Sequence, residues 1–240
     1  MFVNTKGIVL RVYPFKDNSV IAKIFTENYG LISFIIKKTK SQIILAQPLT
    51  IAEITYKESK SKSLYYVKDV SVDYVYNSVM FQNQKLNCCI VLCEILTKCV
   101  KEINPKLYNF IKNSFIWLDK EPLYHIGFDT LFLIKLCELM GISPFNSLTN
   151  HFEKMQLDVK EGVFINYKKT TSRDNNMIIP EKESMELCQL AQLTYLDLRN
   201  YNISAQLNDS IFDYMILYIS NHLVDMHNLK SIKILKELSG

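Results

Sequence analysis

The stretch from Thr5 to Ile36, TKGIVLRVYPFKDNSVIAKIFTENYGLISFII, decides the fold because its apolar residues alternate with polar residues in three short runs. Since successive side chains of an extended strand point to opposite faces, a period of two predicts a β-strand in each run. Asn28, Tyr29 and Gly30 predict a tight turn between the second and third strands. The apolar faces consist of Ile8, Leu10 and Val12, then Val20, Ala22 and Ile24, then Ile32, Phe34 and Ile36.

Two further runs of the same kind follow, Leu49–Tyr56 and Leu64–Val72, and the polar residues 57–63 connect them. Five short strands would leave unpaired edges in a flat sheet, and closure into a small barrel removes those edges. The sequence therefore predicts a five-stranded barrel of the OB-fold type. A five-stranded SH3-like barrel stays open, because the number of strands does not fix their order.

The second part of the chain has a helical pattern. After Phe81 the apolar residues recur with a period near 3.6, which is typical of amphipathic helices. The helical faces span Leu86–Ile103, Leu107–Leu118, Phe128–Met140, Leu187–Thr194, Leu207–His222 and Ser231–Leu238. We therefore predict an α+β chain with two domains, an OB-fold nucleic-acid-binding domain at 1–80 and an all-α helical domain at 81–240. The helical domain contains an irregular insertion at 145–180, in which 163–167 predicts one small ribbon strand.

Composition indicates a globular chain without a membrane span. Of the 240 residues 48% are hydrophobic and the net charge is only +4, whereas disordered chains combine low hydrophobicity with high charge. No apolar stretch reaches the roughly 18 residues that a membrane helix needs, and Met1–Leu10 lacks the features of a signal peptide. We expect a cytoplasmic protein that does not contact the membrane.

The six cysteines are expected to be core residues. Cys89 and Cys93 lie one helical turn apart, but no second pair with metal-ligand spacing follows them. Free cysteine is among the most frequently buried residue types, so packing is favoured over a metal site. We predict no metal and no other cofactor.

The positive charge is concentrated in the barrel. The first 80 residues carry 11 Lys plus Arg against 6 Asp plus Glu, while the remainder carries 17 against 18. Cations interleaved with aromatic rings are typical of surfaces that bind phosphates and unstacked bases. The alternative is that the lysines only keep strand edges soluble. The predicted DNA-binding residues are Lys6, Arg11, Lys16, Lys37, Lys38, Lys40, Lys57, Lys60 and Lys62, with the rings of Tyr13, Phe15 and Tyr65.

Sequence motifs give no support for catalysis. The chain contains no P-loop, Rossmann fingerprint, nucleophile elbow or metalloprotease helix motif, and its four histidines are scattered. We therefore predict a protein that is not an enzyme. Two alternatives stay open: an adaptor whose basic barrel binds an acidic protein, and an OB-fold enzyme with a diffuse site.

Several segments resemble the RecO family of bacterial recombination mediators. The N-terminal resemblance lies in Lys6–Leu10, Tyr13, Ser19, Phe25, Thr26, Gly30–Ile32, the basic residues 37–40 and Gln47–Leu49. Further resemblance lies in Leu139–Pro144 and in Tyr218, His222, Leu229–Ser231 and Leu235. The resemblance implies an OB-fold followed by a helical domain and a nucleoid-associated, non-enzymatic protein. Such a protein binds single- and double-stranded DNA, anneals complementary strands, engages single-strand binding protein (SSB), and works with RecR, and often RecF, to load RecA.

One departure from the family concerns zinc. Many members carry a four-cysteine zinc ribbon within the helical domain, but Phe145–Pro180 contains no cysteine. Either the ribbon persists without metal, or the insertion has been remodelled. A metal-free ribbon would pack through Phe152, Leu157, Val163 and Phe164.

The resemblance also implies a binding site for the acidic, hydrophobic-tipped C-terminal tail of SSB on the helical domain. Such a ligand needs an apolar cleft with cations beside it. The C-terminal segment offers Leu229, Ile232 and Leu235, which are spaced for one helical face and flanked by Lys230, Lys233 and Lys236. We predict contacts from Lys230, Lys233, Leu229 and Ile232. The alternative is that these lysines form an ordinary solvated helix face.

Overall fold

A computed structural model describes residues 1–57, 64–147, 155–166 and 177–239 of the chain. These residues divide into two compact units. The first comprises Met1–Pro122 together with Leu229–Gly240, and the second comprises Leu123–Asn228. The predicted boundary at residue 80 lies within the first unit, between the last strand of the barrel and the first helix. The division into domains at that boundary stays a prediction.

The first unit contains a closed barrel with the strand order β1-β2-β3-β5-β4. Closure occurs because β4 pairs with the first half of β1, whereas β3 pairs in parallel with β5. This order is that of an OB-fold, so the predicted fold class is confirmed and the SH3-like alternative is set aside. The strands are β1 (Phe2–Lys16), β2 (Ser19–Thr26), β3 (Gly30–Lys37), β4 (Ile51–Lys57) and β5 (Leu64–Tyr74).

A bulge in β1 changes which of its residues face the barrel core. Val9 pairs with Ile24 and Arg11 pairs with Lys23, so Leu10 is an extra residue. Val9 and Val12 pack into the barrel core, whereas Ile8 and Leu10 are buried outside that core cluster. The prediction that Ile8, Leu10 and Val12 share one face is therefore wrong for the first two residues.

The predicted turn before β3 is confirmed, and its glycine is required by geometry. Gly30 has a φ of +69°, and a Cβ atom there would lie 2.6 Å from the carbonyl oxygen of Lys101. Leu31 N–H donates to that same oxygen at 3.1 Å. The close approach joins the barrel to the segment that follows the first helix, and only a glycine leaves room for it.

The structure places helices where the 3.6 period predicts them. Asn104 and Pro105 do not end the first helix, as their position suggested, but begin the second one. The Asn104 side chain accepts a hydrogen bond from Leu107 N–H at 2.9 Å, and Pro105 occupies the first helical position. The helices are α1 (Asn83–Cys99), α2 (Pro105–Lys120), α3 (Phe128–Leu139), α4 (Glu181–Ala191), α5 (Ala205–His222) and α6 (Lys230–Ser239).

A buried carboxylate fixes the chain where it leaves the barrel. Asp119, near the end of α2, accepts hydrogen bonds from the Tyr74 hydroxyl and from three successive backbone N–H groups. These N–H groups belong to residues 77–79 between β5 and α1. Lys85 is fully buried beside them and donates to Ser78 Oγ at 2.8 Å and to Glu121 O. We call Tyr74, residues 77–79, Lys85 and Asp119 the Asp119 junction.

The second unit combines helices α3, α4 and α5 with a two-stranded antiparallel ribbon. Asn208 connects α5 to α3, because it accepts from Thr130 Oγ1 at 2.8 Å and donates to Asp129 at 3.1 Å. The ribbon strands are β6 (Met155–Asp158) and β7 (Val163–Asn166). The predicted ribbon strand is confirmed over Val163–Asn166, while its last position, Tyr167, lies outside the described residues. Strand β6 was not predicted from the sequence.

The six cysteines agree with the expectation from composition. All six cysteines are buried and none forms a disulfide, so the prediction that they are core residues is confirmed. Burial raises the pKa of the Cys99 and Cys188 thiols to about 12. No helix in the described part of the chain is both long enough and apolar enough to cross a membrane.

Candidate nucleic-acid interface

A row of apolar and aromatic side chains crosses the outer face of the barrel. Its members are neighbours in the strand register, each paired with the next across β1, β2, β3 and β5. The adjacent positions, such as Val12, Phe34 and Val67, pack into the barrel core. Because side chains alternate along a strand, the row must point away from the core. We call this row the barrel platform; it consists of Tyr13, Ile21, Ile35 and Tyr66.

Cations lie on one side of the barrel platform. Arg11 and Lys23 form a cross-strand pair, and Arg11 lies two residues before Tyr13 on β1. The Arg11 guanidinium lies 5.2 Å from the centre of the Tyr13 ring, and the Lys23 ammonium lies 6.0 Å from it. These distances agree with cation–π contacts on the same face of the sheet.

The other side of the barrel platform carries a second group of cations. Lys16 and Lys37 both pair with Ser19, from opposite sides of β2. The Lys16 ammonium lies 5.4 Å from the centre of the Phe15 ring. Lys38 is held close by, because its backbone N–H donates to Asn18 O at 3.0 Å. The register of three strands therefore brings Lys16 close to Lys37 and Lys38, which lie 21 and 22 positions later in the sequence.

A cleft of about 410 Å³ opens at this second group of cations. Ile35 is only 7% exposed and belongs to the lining, whereas Phe15 and Tyr66 are 42% and 53% exposed. We call this the platform cleft because it shares Ile35 and Tyr66 with the barrel platform. It is lined by Phe15, Lys16, Asp17, Asn18, Ser19, Ile35, Lys37, Lys38, Thr39 and Tyr66.

Two of the predicted DNA-binding cations are bound to carboxylates of the protein itself. Lys6 lies 3.1 Å from Asp73, and the hydrogen bond to Asp73 raises the pKa of Lys6. Arg11 lies 3.2 Å from Glu94, which is buried. These pairs reduce the positive charge that the two side chains present to a ligand. They do not remove Arg11 from the barrel platform, since it also contacts Tyr13.

The remaining predicted residues lie in different places. The ring of Tyr65 packs against Phe34 and Tyr56 at the core, with centroid separations of 6.2 and 5.3 Å. Lys40 is exposed in the segment after β3, and Lys57 is exposed at the end of β4, opposite Phe2. Lys60 and Lys62 lie outside the described residues.

Sequence reasoning missed four members of the interface. Lys23, Ile21 and Ile35 were assigned no role at the surface, and Tyr66 was outside the predicted set although its neighbour Tyr65 was in it. The alternation of side chains could have identified them, because the residues between the core positions of β2, β3 and β5 must face outward. Grouping them into one row requires the strand order, which the sequence did not provide.

Of the predicted SSB-tail residues, Lys230, Ile232 and Lys233 lie on α6 and Leu229 directly precedes it, in the same compact unit as the barrel. Lys230 and Lys233 are exposed and Ile232 is half-buried, whereas Leu229 is only 4% exposed. The start of α6 is fixed by Glu94, which accepts from Ser231 N–H at 2.8 Å. The side chains of Leu235 and Lys236 lie outside the described residues.

The residues of the ribbon do not fit a zinc site. His222 Nε2 donates to Val159 O at 2.7 Å, so that nitrogen is engaged. One oxygen of Asp158 accepts from the N–H groups of Lys160 and Glu161, each at 3.1 Å. Across residues 1–57, 64–147, 155–166 and 177–239, no three His, Cys, Asp or Glu side chains are grouped to hold a metal ion. His151 and Phe152 lie outside these ranges.

The barrel matches a protein-family model, and the whole chain aligns with curated proteins. The model is that of the recombination protein O N terminal and matches residues 1–75. The proteins named DNA repair protein RecO from Bacteroides fragilis and from Flavobacterium psychrophilum are each 26% identical, with 99% of both chains aligned. The protein of the same name from Azobacteroides pseudotrichonymphae is 24% identical over 98% of both chains. These names describe DNA repair and specify no reaction. The barrel match and the full-length alignments confirm that the chain resembles the RecO family.

Proposed function

We propose that the protein is a DNA-binding recombination mediator that acts in DNA repair. It binds and anneals single-stranded DNA, binds duplex DNA, engages the C-terminal tail of SSB, and helps RecR, with RecF where present, to load RecA. It performs these tasks without catalysis, in the cytoplasm and associated with the nucleoid. The observation that carries the proposal is the barrel platform, a row of rings and aliphatic side chains between two groups of cations.

The arrangement suits a single strand better than it suits an acidic protein. Stacking of a base on an aromatic ring contributes about 1–3 kcal/mol, and every base offers a face that can stack. Arg11 and Lys23 on one side and Lys16 and Lys37 on the other can meet phosphates while bases lie on Tyr13 and Tyr66. An acidic protein would use the cations but would have no general need for exposed rings.

The proposal is tested by titrating a labelled single-stranded oligonucleotide at several salt concentrations. Neutralising about four phosphates predicts a slope of roughly −3 for log affinity against log salt. Changing Lys37, Lys38 and Lys40 together to glutamate should flatten the slope and weaken binding. An acidic peptide of the same length and charge should compete poorly, and effective competition would favour the adaptor alternative.

A control variant separates the location of the charge from its amount. Lys101, Lys106 and Lys120 are exposed and lie on or beside α1 and α2, outside the barrel platform. Changing these three to glutamate produces the same change in net charge. The proposed interface predicts that the control retains a slope near −3. Equal losses in the two triple variants would place the DNA elsewhere on the surface.

A further inference from the structure

The platform cleft has the properties of a binding site for one unpaired nucleotide, and this inference rests on the proposed function. Its rim carries two rings that are about half exposed, Phe15 and Tyr66. Two such rings lining one cleft form an apolar surface that a flat ligand can cover. The buried Ile35 between the strands supplies an apolar surface within the cleft.

The polar groups of the platform cleft match the remaining parts of a nucleotide. Lys16, Lys37 and Lys38 supply positive charge for phosphates, and none of them has a carboxylate within ion-pair distance in the part of the chain that the structure describes. Asp17 and Asn18 supply oxygen acceptors for the amino groups of a base. A phosphate, a flat ring and an amino-bearing edge therefore each have a counterpart in the lining.

The size of the platform cleft favours a single base over a base pair. Its volume of about 410 Å³ lies near the lower end of the range for small-molecule pockets, roughly 300–1,000 Å³. A base in a duplex has both faces stacked and its edge paired, and freeing it costs a few kcal/mol. An unpaired base enters without that cost, so the platform cleft distinguishes single strands from duplexes.

We propose that the platform cleft captures one unpaired base of a DNA strand between Phe15 and Tyr66, with the flanking phosphates on Lys16, Lys37 and Lys38. This capture gives the protein its preference for single-stranded over duplex DNA. The rest of the barrel platform holds the adjoining nucleotides through Tyr13 and the Arg11–Lys23 pair.

The experiment measures the binding of two DNA oligonucleotides to the native chain and to two single-residue variants. The strands are a short oligonucleotide and the same backbone with all its bases removed. We expect Tyr66→Ala and Phe15→Ala each to weaken binding of the intact strand about tenfold and of the abasic strand less than twofold. Tyr66→Phe keeps the ring and should bind the intact strand as the native chain does. Circular dichroism and thermal unfolding confirm that the variants fold.

Two further measurements complete the test. A strand containing 2-aminopurine should lose fluorescence on binding to the native chain, because the base stacks, and should keep it with Tyr66→Ala. The affinity for a duplex of equal length should be the same in the native chain and in both alanine variants. Equal losses on intact and abasic strands, or equal losses on duplex, would overturn the assignment of the cleft alone. A native chain that binds no DNA would overturn the proposed function together with this inference.

Discussion

Two groups of cations in the first compact unit differ in their partners. The first group is bound within the protein: Lys6 and Lys112 share Asp73, and Arg11 pairs with Glu94. The ammonium of Lys85 is buried against oxygen atoms of the Asp119 junction. Those at the platform cleft, Lys16, Lys37 and Lys38, have no carboxylate within ion-pair distance among the described residues. Identical charges in the sequence therefore serve the fold in one place and a ligand in the other, while Arg11, which also contacts Tyr13, belongs to both.

The two groups of cations should respond differently when a charge or its partner is removed by substitution. A buried donor or acceptor that loses its partner costs about 1–3 kcal/mol, because it was taken out of water and gains nothing in return. An exposed charge keeps its water, and its removal changes stability by a few tenths of a kcal/mol. Substitutions in the first group should affect unfolding, whereas those in the second should affect DNA affinity.

The largest effect is expected at the Asp119 junction. Asp119→Ala leaves the N–H groups of residues 77–79 without their acceptor, and we expect the free energy of unfolding to fall by about 3 kcal/mol. Tyr74→Phe removes one hydrogen bond of the same carboxylate and should cost about 1 kcal/mol. Urea denaturation measures both. A loss of DNA affinity in the Asp119→Ala chain at full stability would contradict the separation of the two groups.

The next effect concerns the platform cleft. Lys16→Glu with Lys37→Glu and Lys38→Glu should weaken single-strand binding by roughly 30-fold at moderate salt, because three phosphate contacts become repulsive. The free energy of unfolding should change by less than about 0.5 kcal/mol. Fluorescence anisotropy measures the DNA affinity, and urea denaturation measures the free energy of unfolding. If the triple variant unfolds more easily and binds DNA normally, these lysines belong with the first group.

The parts of the fold that could be predicted from the sequence are those whose interactions are local in the sequence. The five barrel strands and the helices were predicted because each depends on the periodicity of its own residues, whereas the short strand β6 was not. The Asp119 junction was not predicted, since its carboxylate and its backbone donors are about 40 positions apart and backbone donors leave no mark in the sequence.

The candidate interface shows the same limit. The sequence placed Lys16 and Lys37 in the predicted set because charge is visible in any context. It placed Tyr65 there and omitted Tyr66, although alternation along β5 turns Tyr66 outward. That Tyr66 lies beside Ile35 depends on the pairing between β3 and β5. That pairing joins strands separated in sequence by β4. The bulge at Leu10 likewise exchanged the faces of β1.

A smaller effect on stability is expected at Glu94, which connects Arg11 of the barrel to the start of α6. Burial raises the pKa of Glu94, but hydrogen bonds from the N–H groups of Ser231 and Lys230 and the charge of Arg11 outweigh burial, and the pKa lies below its usual value. A carboxyl group with a lowered pKa contributes stability above its unfolded pKa, near 4.3, and loses that contribution as the pH falls through the folded value.

Glu94→Gln should therefore lower the free energy of unfolding by about 1–2 kcal/mol at pH 7. The difference from the native chain should shrink as the pH falls below about 4, because the native carboxyl group is then protonated. Urea denaturation at several pH values measures the trend. Lys112→Gln, which affects the Asp73 pair and leaves Glu94 intact, is the matched control. A difference that stays constant with pH would show that the charge of Glu94 is unimportant.

The smallest effect is expected on α6, where Lys230 and Lys233 are exposed beside the half-buried Ile232. These lysines resemble those of the platform cleft in their exposure, but they lie on a helix and have no exposed aromatic ring assigned to them. We therefore expect them to bind carboxylates and not bases. A peptide with the acidic, hydrophobic-tipped sequence of the SSB tail should bind with micromolar affinity that weakens with salt.

Lys230→Glu with Lys233→Glu should weaken the tail peptide about fivefold and leave the affinity for naked DNA nearly unchanged, because exposed ion pairs contribute about 0.2–1 kcal/mol each. Ile232→Ala tests the apolar contact separately, while Leu229, at 4% exposure, is better left intact because its truncation would disturb the core. Isothermal titration calorimetry with the peptide and anisotropy with DNA give the two affinities. If the double variant binds the peptide normally but loses DNA, then α6 belongs to the DNA interface, and the cations of the barrel platform are the candidates for the acidic tail.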